Sequence, residues 1–210
     1  MYFDIHTRKS MSRYVFLFDL DSTITRQEIL PTIAREIGVY EQMSALTESS
    51  MRGEVPFKQS FLQRVELLKK VPVSQIRDIV ANIALNERLV EFINRYKNRS
   101  YIITGNLDVW IDGLIEKLGM EKNVFCSKAL LEGSYVQDVF NVVDKNAVTR
   151  QMVLPFVAVG DGNNDAEMIE AAEVGIGYGG VRPVAPSVLE CATHVAYQED
   201  KLVDFLNKLV

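Results

Sequence analysis

Cysteine and histidine are scarce in this chain of 210 residues, which holds two of each: Cys126, Cys191, His6 and His194. The cysteines lie far apart and in no metal-type spacing, so they predict reduced thiols rather than a disulfide framework or a zinc site. Neither histidine neighbours another candidate ligand, which leaves a phospho-histidine mechanism without support. No apolar run approaches the ~20 residues needed to span a bilayer. The opening M-Y-F-D-I-H-T-R-K-S lacks the hydrophobic core of a signal peptide, and Met11 offers a second start. Residues 1–13 therefore read as an N-terminal extension. Positive charge is not in excess either: 23 Lys and Arg stand against 28 Asp and Glu, a formal net charge of −5. That balance argues against nucleic acid or an anionic membrane as partner. Repeats, low-complexity tracts and Pro/Gly/Ser linkers are absent, as is the G-x-x-x-x-G-K-[ST] string of P-loop kinases. What these absences leave is a cytoplasmic protein, monomer or homodimer, acting on small molecules.

The apolar pattern changes character along the chain. Tyr14 to Leu20 is a nearly continuous apolar run, as expected of a strand buried on both faces. From about residue 27 to 84 the periodicity is helical. Ile29, Ile33 and Ile37 precede a C-terminal stop at Gly38; Phe57, Phe61, Val65 and Leu68 follow Pro56; and Ile76, Ile79, Val80 and Ile83 follow a possible cap at Ser74. Beyond residue 86, helix and strand patterns alternate. Strands are expected at Tyr101–Ile103, Phe156–Val159, Val174–Ile176 and His194–Tyr197, with a hairpin turning at Glu132-Gly133-Ser134. The alternation predicts an α/β fold with a Rossmann-like, doubly wound parallel sheet. The core domain would comprise residues 14–26 and 85–210, and residues 27–84 would form a helical cap domain over the sheet's carboxyl edge.

Four clusters with chemical potential fall at expected strand ends. In Asp19-Leu20-Asp21-Ser22-Thr23, two carboxylates at i and i+2 can share one crevice, one attacking phosphorus and the other moving a proton. A strand-end turn with local capping would look similar. Thr104-Gly105-Asn106 offers a hydroxyl and an unhindered amide ahead of a helix near Asp108, a phosphate cradle or a plain strand-to-helix turn. Lys145 supplies a point charge for a phosphoryl oxygen. Gly160-Asp161-Gly162-Asn163-Asn164-Asp165 concentrates oxygen donors that suit Mg²⁺, without the late glutamate of a calcium loop. The four together, in this order, point to phosphoryl transfer.

The arrangement resembles the haloacid dehalogenase superfamily of aspartate-nucleophile phosphatases, and within it the phosphoserine phosphatase group, over nearly the whole chain from about Tyr14. D-x-D-S-T and G-D-G-x-N-D carry the resemblance. It implies Asp19 as nucleophile and Asp21 as general acid and base. It implies Mg²⁺ held by Asp19, the backbone carbonyl of Asp21 and Asp161, with Asp165 in support. Thr104, Gly105 and Lys145 would grip the phosphoryl group, with Asn164 beside it. By the same likeness Glu28 would read a substrate ammonium, Arg64 its carboxylate, and Met51 and Phe57 would shield it, the run from Met51 to Leu68 looking like the group's cap helix. Arg64 lies seven residues after Phe57, near the apolar stripe, where an arginine either snorkels or faces an anion. Two departures stand out. Asn106 occupies the place of a usual second glycine, and the segment between Lys145 and Asp161 is short.

Rival readings have identifiable weaknesses. Gly175-Ile176-Gly177-Tyr178-Gly179-Gly180 satisfies G-x-G-x-x-G, but it comes late and Arg182-Pro183 follows at once. A phospho-receiver switch has no use for a long helical insert or a second aspartate at i+2. Transfer to another alcohol, or hydrolysis of another small phosphorylated metabolite, remains compatible with the same residues.

Overall fold

The computed structural model describes residues 14–153 and 155–210; the expected extension lies outside them. In chain order the elements are β1 (Val15–Phe18), α1 (Ile29–Glu36), α2 (Tyr40–Met51), α3 (Phe57–Leu68), α4 (Val73–Ala81), α5 (Glu87–Arg95), β2 (Ser100–Leu107) and α6 (Asp108–Leu118). Then follow β3 (Val124–Glu132), β4 (Tyr135–Asn141), α7 (Lys145–Thr149), β5 (Phe156–Gly160), α8 (Ala166–Glu170), β6 (Val174–Tyr178), α9 (Pro186–Cys191), β7 (His194–Ala196) and α10 (Glu199–Leu206).

The seven strands form one sheet in the order β4-β3-β2-β1-β5-β6-β7, parallel throughout except for the antiparallel β3–β4 hairpin. β1 is central because its unbroken apolar run can be covered on both sides. Phe16 and Phe18 enter one core with Phe92, Ile102 and Leu202, while Leu17 enters the opposite core with Ile103, Ala158 and Val188. The chain runs from β1 to β2 on one side and later returns to β5 on the other, so the order reverses between β1 and β5. The carboxyl ends of strands at such a reversal form a crevice.

α1 to α4 lie between β1 and β2 in sequence. The chain leaves the sheet and returns to it side by side. Thr25 pairs with Leu85 in an antiparallel bridge, Arg26 N–H donates to Ala84 O (2.7 Å), and Asn86 N–H donates to Ile24 O (2.9 Å). Asn86 Nδ2 adds a bond to Thr23 O at 2.8 Å.

Several local expectations need correction. Ser74 lies inside α4, whose N-terminal flanking residue is Pro72. The run from Met51 to Leu68 is not one helix but the end of α2, a turn, and α3. α2 itself carries a weak stripe, burying Met43, Thr47 and Ser50, so its periodicity is hard to see. β2 continues through Thr104-Gly105-Asn106 to Leu107, with a register irregularity against β3, so that cluster lies in the strand rather than after it. The short segment after Lys145 is real: α7 has five residues. Gly175 to Tyr178 belong to β6, and the next helix begins only at Pro186, so the glycine pattern opens no helix.

Phe92, 3% exposed, meets Phe16 edge-on at a centroid distance of 5.1 Å and joins α5 to β1. Phe92→Ala is expected to lower the unfolding free energy by about 3–5 kcal/mol, read from the urea midpoint. A loss under about 1 kcal/mol would mean that this contact does not anchor the helix layer.

Candidate active site

Asp19 is the first residue past β1, its N–H held by Val159 O of β5 at 2.9 Å. The chain then folds back on itself. Ser22 has a left-handed φ of 58° and donates its N–H to Thr25 Oγ1 at 3.1 Å, and Ile24 N–H donates to Leu20 O at 3.0 Å. This turn sends both carboxylates into the crevice. Asp21 Oδ1 accepts the N–H of Ile29, the first residue of α1, at 2.7 Å, and Oδ2 accepts Asn106 Nδ2 at 3.4 Å. Burial raises the Asp21 pKa, while the Ile29 amide, Asn106, Arg182 and Arg64 pull the other way.

Asp161 follows β5 in a loop closed by Asp165, whose Oδ2 accepts the N–H groups of Asp161 (3.0 Å) and Gly162 (2.9 Å). Gly160 permits that closure, since a Cβ there would stand 2.5 Å from Asp165 Cγ. Lys145, the first residue of α7, is buried with its Nζ between Asp19 Oδ1 and Asp165 Oδ1, the latter at 2.5 Å. Burial lowers the lysine pKa, but Asp165 and Asp19 outweigh it and leave the group above its ordinary value. Asp19 is pushed up to about 7, first by burial and then by Asp165, against the pull of Lys145. Asp161 is also raised, by burial and then by Asp165 and Asp19.

Asp19, Asp161 and Asp165 bring one carboxylate oxygen each within 4.8 Å of one another. These three carboxylates, with Asp21 beside them, outnumber the Lys145 and Arg182 cations, an excess of negative charge that a divalent cation would neutralise, and hard oxygen donors suit such an ion. The residues present therefore fit a divalent metal.

Thr104 Oγ1 accepts both the Asn106 N–H (3.2 Å) and Asn106 Nδ2 (3.1 Å). With its lone pairs so engaged, the hydroxyl keeps its proton for an oxyanion. Phe57 lies against Gly105 so closely that a Cβ there would come 2.3 Å from the ring. Glu28, Met51, Phe57 and Arg64 all line the same cavity as Asp19, Asp21, Thr104, Gly105, Asn164 and Asp165. The Arg64 guanidinium is buried and stands 5.9 Å over the Phe57 ring, and burial lowers its pKa against the pull of Asp21. It points inward rather than snorkelling. The cavity encloses only ≈ 70 Å³, well below the ~300 Å³ of an ordinary small-molecule pocket. Residues of the inserted helices and of the sheet edge line it together.

A model of haloacid dehalogenase-like hydrolases matches residues 16–170. The chain belongs to that family. A phosphoserine phosphatase of Archaeoglobus fulgidus is 33% identical over 178 residues, which cover 78% of this chain and 52% of that protein, so the chain spans about half of that relative's length. The phosphoserine phosphatase of Methanocaldococcus jannaschii is 32% identical over 179 residues, covering 78% of this chain and 84% of its own. A solved structure described as a phospho-aspartyl intermediate analogue of phosphoserine phosphatase superposes with a TM-score of 0.79 at 27% identity, covering 92% of this chain and 99% of that one. Rossmann-like hydrolases of this family are thus the chain's structural kin.

A charged residue of this cavity escaped the sequence reading. Arg182, in the loop after β6, pairs with Glu28 through Nη1 and with Asp161 Oδ2 through Nε at 3.0 Å. Its only sequence signal is a position just past a strand on the same sheet edge. Among the described residues, no helix is long and apolar enough to cross a membrane.

The raised Asp19 pKa has a consequence for the metal-free protein. A carboxyl that holds its proton better folded than unfolded favours folding below its unfolded pKa of 3.8, and that contribution fades as pH rises to about 7. The Tm of metal-free protein should fall across this window, and added Mg²⁺ should raise it more at the top of the window than at the bottom. A Tm indifferent to divalent cations near pH 7 would count against the cation site.

Proposed function

We propose that this chain hydrolyses small phosphomonoesters through a phosphorylated Asp19, with L-phosphoserine as substrate. The observation that carries the reading is Lys145 held between Asp19 and Asp165, two carboxylates that line one cavity with Thr104 and Gly105. The phosphoserine phosphatases among its relatives support the substrate.

Asp19 Oδ attacks phosphorus as the ester P–O bond breaks, and Asp21 gives its proton to the departing serine oxygen. Water then attacks the aspartyl-phosphate, Asp21 takes the proton back, and inorganic phosphate leaves. Thr104, the Gly105 amide, Lys145 and Asn164 hold the phosphoryl oxygens throughout. Mg²⁺ would be held by Asp19, Asp161, the Asp21 main-chain carbonyl and, in support, Asp165; bound there it supplies positive charge to the phosphoryl oxygens. In the wall formed by residues 27–84, which we take as the cap domain, Arg64 receives the substrate carboxylate and Glu28 its ammonium. Met51 and Phe57 exclude bulk water. Cavity size favours small metabolites over proteins.

A second reading keeps the chemistry and changes the ester. Arg182 already engages the Glu28 carboxylate, which favours a small phosphorylated metabolite without an ammonium group.

Both readings meet one experiment, phosphate release from a panel that includes L-phosphoserine, with Mg²⁺ or EDTA. Asp19→Asn should reduce turnover to background on every ester. Asp21→Asn should slow it by about 10²–10⁴-fold. Arg64→Ala should raise KM for phosphoserine by about 10–100-fold, as expected for a charge-assisted hydrogen bond. Activity persisting in Asp19→Asn would refute the mechanism; turnover of other esters but not phosphoserine would leave the second reading.

A further inference from the structure

Asn163 lies in the acidic loop between Gly162 and Asn164, yet its side chain serves the opposite wall of the cavity. Its Nδ2 donates to the main-chain carbonyls of Ser50 (2.7 Å) and Met51 (2.6 Å), the last two residues of α2. Its Oδ1 accepts the Ser187 hydroxyl of α9 at 2.5 Å. The final carbonyls of a helix lack intrahelical donors and need them from elsewhere. Here Ser50 O takes the Gly53 N–H at 3.0 Å, and the two protons of Asn163 Nδ2, more than a hundred positions away, add a second donor to it and one to Met51 O. The chain turns off at Gly53, with φ of 72°, immediately beside the same amide. Ser50, Met51, Gly162 and Asn164 all line the cavity, and a Cβ on Gly162 would stand 3.8 Å from Met51 Sδ.

We propose that Asn163 is a positioning residue, clasping the end of α2 and so holding Met51 over the reacting groups. Closure is then made by the same loop that carries Asp161 and Asp165. The clasp is orientation-specific. Ser187 can donate only to Oδ1, which turns Nδ2 toward the two carbonyls, and an aspartate in its place would set an oxygen against them. It is also uncharged. Breaking the clasp by removing the side chain therefore loosens that contact without altering the charge balance of the carboxylate cluster, unlike the Arg182–Glu28 pair at the start of the insert. The kinetic part of the inference rests on the phosphatase reading above.

The test compares Asn163→Ala, Asn163→Asp and Ser187→Ala in the full chain with Mg²⁺. Asn163→Ala should raise KM for L-phosphoserine about tenfold with kcat within about twofold, the size expected for two lost hydrogen bonds, and Asn163→Asp, which also adds a charge to the acidic loop, should raise it further. Ser187→Ala should raise KM about two- to threefold, and Asn163→Ala/Ser187→Ala should match Asn163→Ala alone, because Ser187 acts through Asn163. Hydrogen exchange of the α2 amides, read without substrate, should quicken in all variants. A chain that turns over no phosphoserine would fail the earlier reading while leaving this exchange result valid. Unchanged α2 exchange in Asn163→Ala overturns the clasp, as does a fall in kcat at constant KM with weakened Mg²⁺ binding. Should Asn163→Ala not fold, Ser187→Ala decides alone: quickened exchange supports the clasp and unchanged exchange overturns it.

Discussion

The contact on which the site depends is the buried ammonium of Lys145 between Asp19 and Asp165. A lone lysine in that crevice would be driven neutral by burial, and the carboxylates without it would repel one another. Each makes the other tolerable, and neither is fully balanced. Burial first, and then the neighbouring carboxylates, hold the pKa values of Asp19 and Asp161 above the ordinary range, and a divalent cation in the crevice would relieve both. A tidier pairing would be more stable and less reactive.

Topology explains why residues so distant in sequence can meet there. Asp19 ends β1, Asp161 follows β5, and the two strands are hydrogen-bonded neighbours at the reversal of strand order. Thr104 and Gly105 come from β2 on the other flank of β1. Lys145 comes off the hairpin at the start of a helix of only five residues. The sheet supplies placement, and the inserted helices supply a wall of the same cavity. Arg182 and Asn163 join the two, through Glu28 and Asp161 in one case and the end of α2 in the other.

Much of this was legible in the sequence, for a physical reason. A buried parallel strand must be a short apolar run, and polar residues just beyond it must either cap or react. The run before Asp19 and the one before Asp161 met that rule, and so the aspartate pair and the acidic loop could be placed at strand ends directly. Helix α2 could not, because its inward face is Met43, Thr47 and Ser50 and carries no apolar rhythm. The end of β2 was misjudged because its pairing with β3, rather than the propensity of Thr104-Gly105-Asn106, extends the strand. Arg182 and Asn163 were invisible for a third reason. Their partners lie more than a hundred positions away or in a different element, and local pattern says nothing of such pairs.

The side-by-side passage of the chain at Thr25 and Leu85 carries an evolutionary consequence. Everything between them begins and ends at one point, stitched by Arg26 to Ala84 and Asn86 to Ile24. A segment anchored this way can lengthen, shrink or be exchanged without shifting the register of a single strand. Descendants of such a chain can change which molecule they admit while inheriting the same reactive edge, since the two are joined through a seam only a few residues wide.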